Sequence, residues 1–90
     1  VDYASLKADI TTTISLTEMN AEFLFFNYDV LTDTFYVRVS LPRQITFQNV
    51  RIALLELDYI ESATYSTPHS PAGTSRYIAT FTIGVDIDAF

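Results

Sequence analysis

His69 is the only histidine of this 90-residue chain, so any histidine-centred catalysis or metal binding must run through it. It lies in Thr67-Pro68-His69-Ser70-Pro71, with Ser66 close by, in the most loop-like stretch of the sequence. Loops carry function disproportionately. A nucleophile, however, needs an oriented base, and the base needs a third group within hydrogen-bond reach. No spacing in the chain implies that set, and His69 reads as a solvated loop histidine.

Two acidic groups deserve the same weighing. Glu56 and Asp58 sit two apart, and on a strand rising roughly 3.3 Å per residue they would share a face about 7 Å apart. Catalytic carboxylate pairs show such separations, but so do almost any acids at i and i+2. Asp86 and Asp88 alternate on another predicted strand. Calcium gathers roughly six to eight oxygen ligands from a compact loop, so these two acids are too few. They read as a charged margin that discourages edge pairing. The chain is therefore expected to be no enzyme, with no catalytic residue, no metal site and no cofactor.

The composition narrows the partners. Eleven acids against five bases give a formal charge of −6. Phosphate contacts come from Lys and Arg, and here Lys7, Arg38, Arg43, Arg51 and Arg76 are scattered. Nucleic acid and anionic membrane surfaces are excluded on that ground. There is no Cys, hence no disulfide framework. No apolar run approaches the roughly 20 residues of a membrane span, so no membrane insertion is expected. An apolar fraction of 49% sets disorder aside. The chain opens at Val1 rather than Met, which fits a processed, trimmed or excerpted polypeptide, and its length fits one domain over residues 1–90.

The elements that must position these residues read as strands. Ile10, Thr12, Ile14 and Leu16 alternate with Thr11, Thr13 and Ser15 in a period-two pattern. Glu22–Leu41 reads as a hairpin pairing Val30 with Phe35, Tyr28 with Val37, Phe26 with Val39 and Leu24 with Leu41. Phe23 and Phe25 fall on its other face, so it is not cleanly two-sided. Gln44–Gln48 reads as extended. Ala53–Tyr59 folds onto Phe81–Ile87 in one register with a wholly apolar face, although Val50, Leu54, Leu57 and Glu61 also have helical spacing. Five to six strands in two hairpins predict an all-β fold, a small antiparallel β-sandwich.

The second face of the long hairpin carries Ile52, Leu54 and Ile60. A strand apolar on both sides has something covering both, so these three are the expected interface, toward protein partners or further copies of the chain.

From Ser40 onward the order of features resembles the H-type lectin domain. The likeness is carried by Leu41-Pro42 before Phe47, Val50-Arg51-Ile52-Ala53-Leu54 running into Leu57-Asp58-Tyr59, Arg76-Tyr77 opening a strand, and the closing Asp88-Ala89-Phe90. That resemblance implies a six-stranded sandwich, trimeric assembly and metal-free binding of amino sugars, in modules that also occur in phage fibre proteins. The function expected is a non-catalytic structural or adhesive assembly module of an extracellular or virion-type complex. The alternative is carbohydrate binding, with Tyr65, His69, Arg76 and Tyr77 as ligand residues for a glycan.

Overall fold

The computed structural model describes residues 2–90. Along the chain run α1 (Tyr3–Thr17), β1 (Glu22–Asp29), β2 (Thr34–Leu41), α2 (Thr46–Leu55), β3 (Ile60–Tyr65) and β4 (Tyr77–Val85). The strands form one antiparallel sheet in the order β1-β2-β4-β3. The predicted all-β sandwich is thus corrected to an α/β fold, and the six-stranded sandwich implied by the lectin resemblance is not what forms.

The stretch Asp9–Leu16, predicted as a strand, lies inside α1. Leu6, Ile10 and Ile14 recur every four residues and are fully buried. Only the helical period gathers these large apolar groups on one side. The threonines are accommodated because the hydroxyls of Thr11, Thr13 and Thr17 each donate to the carbonyl four residues earlier. Asp2 Oδ1 accepts from the N–H groups of Ala4 and Ser5 at 3.0 and 3.2 Å, capping the first turn.

The register joining Ala53–Tyr59 to Phe81–Ile87 does not form. Residues 53–55 close α2, and β4 instead takes β3 as its partner, through Ile60↔Val85, Ala63↔Ile83 and Tyr65↔Phe81. Gln44–Gln48, predicted extended, leads into α2. Phe47, Val50 and Leu54 are fully buried at helical spacing. A helix packed on a sheet draws its stability from that apolar stripe, which overrides the strand preference of Val50 and Ile52.

β2 and β3 run parallel and are joined by α2, while β4 inserts antiparallel between them. This is a split β-α-β unit. Both helices lie on one face of the sheet. There Phe35, Val37, Val39 and Leu41 of β2 and Phe81, Ile83 and Val85 of β4 are buried with the apolar sides of α1 and α2. This arrangement corrects the predicted interface. Leu54 is fully buried and Ile60 is 7% exposed, both in the core, whereas Ile52 is 48% exposed on the outer side of α2. The three share no surface, because the long hairpin that would have aligned them is absent.

The β1–β2 hairpin does form, with pairings shifted by two residues: Tyr28 opposes Phe35 and Phe26 opposes Val37. An even shift leaves the side chains of residues 25–29 on their predicted faces, whereas Phe23 and Leu24, beyond a break in the register, exchange theirs. The turn is held by Asp29 Oδ1, which accepts the Leu31 N–H at 2.9 Å. Asp33 takes a φ of 50°, a left-handed conformation Asp tolerates better than most residues.

Candidate protein-docking face

The sheet face opposite the helices is uncovered. Across it run rows of side chains set by the pairings: Asn27, Tyr36, Thr82 and Thr64 in one, Phe25, Arg38 and Thr80 in the next. Period-two alternation puts these residues opposite the buried ones, which is why the face is rich in Thr and hydroxyls. Two large apolar side chains interrupt it. Between Phe23 and Phe25 the register shifts, leaving Leu24 as the extra residue of a bulge. Phe23 therefore turns to the core, while Leu24 and Phe25 are 48% and 52% exposed. Bulges re-aim side chains in this way, and they concentrate at sheet edges and beside functional sites.

The two edges of the sheet differ. At β3 the Arg51 Nε–H reaches over from α2 and donates to the Ala63 carbonyl oxygen at 2.8 Å, occupying an edge acceptor. The eight-residue edge β1 lies beside a groove of about 250 Å³ lined by Tyr3, Lys7, Phe26 and Tyr28, among others. Lys7 Nζ sits 4.3 Å from the Phe26 ring centre, and the Tyr3 and Tyr28 rings are 4.6 Å apart. Burial, together with donation of its hydroxyl to Asp33 Oδ1 at 3.0 Å, pushes the Tyr28 phenol up to about 12.

A recess crosses the open face. Leu24 of β1, Arg38 of β2, Ile78, Ala79 and Thr80 of β4, and Ser66 and His69 just after β3 line it. His69 is placed there because its N–H and carbonyl pair with Ile78, at 3.1 and 2.8 Å, prolonging the edge beyond β3. The Arg38 Nε–H donates to Thr80 Oγ1 at 3.3 Å, and Ser66 Oγ accepts the Thr80 N–H at 3.0 Å.

The other predicted ligand residues lie elsewhere. The Tyr65 hydroxyl donates to Gln48 Oε1 at 3.2 Å, and its ring packs against both Phe47 and Phe81 on the core face. Tyr77 opposes Leu41 and packs against the core. Arg76 donates through Nε to Ser40 Oγ at 2.7 Å and through Nη2 to the carbonyls of Asn20 and Ser40 at 2.6 and 2.7 Å, with Glu22 Oε1 3.4 Å away. Its guanidinium ties three segments together. The four residues share no single ligand site, and only His69 faces the recess. Glu56 caps the end of α2 and Asp58 lies in the following turn, so they do not share a strand face. Asp86 Oδ1 accepts the Asp88 N–H at 3.1 Å in the closing turn. Among the described residues no cluster of His, Asp or Glu could hold a metal.

Leu24, Phe25, Arg38 and Thr80 were not predicted as site residues. The one available signal is the misfit of Phe23 and Phe25 in the two-sided hairpin, which a bulge resolves for Phe23 while Phe25 stays on the open face.

An α/β domain with its helices on one side and a bare, bulged sheet on the other is the class these observations define. Neither a protein-family model nor a curated protein matches the chain. Two solved structures share the fold. The periplasmic domain of XcpY matches with a TM-score of 0.73 over 89% of this chain and 96% of that one, at 15% identity. The periplasmic domain of EpsL from Vibrio parahaemolyticus matches with a TM-score of 0.73 over 94% of this chain and 95% of that one, also at 15% identity. Such identity shows the fold alone. Both neighbours are named as periplasmic domains and neither as a virion, fibre or lectin module, so the extracellular or virion placement, the adhesive fibre-like module and the carbohydrate-binding alternative are corrected along with the sandwich fold they assumed. The trimer and the glycan lose their support with them. No helix among the described residues is long and apolar enough to cross a membrane.

Proposed function

We propose that this chain is a non-catalytic periplasmic domain of a cell-envelope protein, and that it docks another protein through its open sheet face and the adjoining β1 edge. The observation that carries the reading is the bulge that exposes Leu24 and Phe25 together on an uncovered sheet beside an edge strand. Edge strands offer main-chain groups for β-addition, and alternate side chains supply specificity. An edge left long and apolar is an aggregation hazard unless something covers it. The periplasmic placement is supported by the shared fold of the XcpY and EpsL domains.

The test uses the full protein in its host. A photo-crosslinking amino acid at Phe25 is expected to give one discrete adduct with an envelope protein, and the same group at Leu55, exposed on α2, none. Adducts of equal yield from both positions, or none from Phe25, would overturn the docking reading. Resistance of the domain to protease in cells whose outer membrane alone has been opened by osmotic shock would overturn its periplasmic placement, if a known periplasmic protein is digested and a cytoplasmic one protected in the same sample.

A further inference from the structure

We infer that the recess on the open sheet face receives the carboxylate of an Asp or Glu side chain from an acidic, extended segment of the protein partner; this rests on the docking reading above. On a chain of net charge −6, no carboxylate lines this recess, while a guanidinium and an imidazole do. Arg76 spends Nε and Nη2 on Ser40 and the carbonyl of Asn20. Arg38 and Arg51 each give only Nε to the protein, and of the arginines Arg38 alone lines the recess. Among the described residues its two terminal nitrogens donate to nothing.

Thr80 Oγ1 accepts the Arg38 Nε–H and Ser66 Oγ accepts the main-chain N–H of Thr80, so the guanidinium lies along the recess with its terminal nitrogens free for a ligand. Arginine's planar fork matches a carboxylate with two parallel bonds, where lysine would offer a point charge. Imidazole has an N–H to donate in either neutral tautomer, so His69 supplies a further donor on the far side of the recess. Leu24 and Ile78 provide an apolar floor for the stem of the incoming side chain. An extended segment presents alternate side chains to one face. A partner segment with an acid among apolar residues at that spacing would lay its acid against Arg38 and its neighbours against Leu24 and Phe25.

The experiment is a titration of the 90-residue chain followed by amide and arginine Nε–H nuclear magnetic resonance. The probes are an end-blocked peptide of alternating valine and glutamate and its valine–glutamine counterpart. Saturable shifts are expected at Arg38 Nε–H and at the amides of Thr80, Ser66 and Ile78. The glutamine peptide is expected to bind at least about tenfold more weakly, as is the glutamate peptide to Arg38→Gln, the loss of roughly one charge-assisted pair. Arg38→Lys restores only part. No shift in the recess overturns the inference, as does equal binding by the two peptides or by Arg38→Gln. If the Phe25 adduct in the full protein persists in Arg38→Gln at unchanged yield, the docking reading stands while the carboxylate inference falls.

Discussion

The Tyr59 hydroxyl donates to Asp9 Oδ2 at 2.8 Å, tying the approach to β3 to the middle of α1 across fifty residues of sequence. Burial first, then acceptance of that bond by Asp9 and the nearby negative charge, hold the Tyr59 phenol protonated well above its ordinary range. Tyr28 is shifted the same way, to about 12. In the unfolded chain both phenols ionise near pH 10. Above that pH the folded state binds more protons than the unfolded state, so stability falls as pH rises, and it is fully present below pH 10. Urea midpoints taken from pH 8 to 12 should therefore be flat and then decline. Tyr59→Phe should lower the plateau by about 0.5–1.5 kcal/mol and make the alkaline decline shallower. An unchanged alkaline slope in Tyr59→Phe would remove the bond from the account.

Arg76 illustrates a ligand-like residue whose donors are already taken. Its Nε and Nη2 bind the Ser40 hydroxyl and two main-chain carbonyls, joining the loop before β1, the end of β2 and the start of β4. Removing it takes the arginine's donors away from the buried Ser40 hydroxyl and carbonyl and from the carbonyl of Asn20. Arg76→Ala should cost about 1.5–3 kcal/mol, read as a lowered denaturation midpoint. Arg76→Lys should recover less than half, since an ammonium cannot present the fork. Retention of full stability by Arg76→Ala would reopen a role for this residue outside the fold.

Arg51 closes the β3 edge by donating to the Ala63 carbonyl. Arg51→Ala should free that acceptor and make the edge available for pairing. Light scattering should then detect more self-association than in the parent chain at equal concentration, with a stability loss of about 1–2 kcal/mol. If the variant stays as dispersed as the parent, the edge is protected by something other than this bond.

The β1–β2 hairpin was legible because its turn lies between two strongly alternating strands. Val37, Val39 and Phe26 face the core as their spacing predicts, although the register is displaced by two. The N-terminal segment is ambiguous in sequence because Ile10, Thr12, Ile14 and Leu16 satisfy period two as well as Leu6, Ile10 and Ile14 satisfy period four. Only the packed core decides between them, by burying Leu6 and leaving Leu16 81% exposed. β4 is legible as a strand, but its partner is not. A central strand is apolar toward the core whichever neighbour it takes, so Phe81, Ile83 and Val85 match the apolar residues of 53–59 as readily as those of β3. The docking face was hidden for a different reason. A bulge at Leu24 reverses the alternation midway through β1, and no residue type announces it.

Ile52 and Leu54 separate the two architectures most sharply, since a strand would place both on one exposed face. In α2 they lie on opposite sides, Leu54 fully buried among core residues and Ile52 at 48% exposure. Leu54→Ala should leave a cavity between helix and sheet and cost about 2–5 kcal/mol. Ile52→Ala removes little contact and restores the better helix former, so it should stay within about 0.5 kcal/mol of the parent. Chemical denaturation of the two single variants measures both. Equal losses at the two positions would be incompatible with a helix presenting one side to the sheet, and would return the segment to an extended conformation.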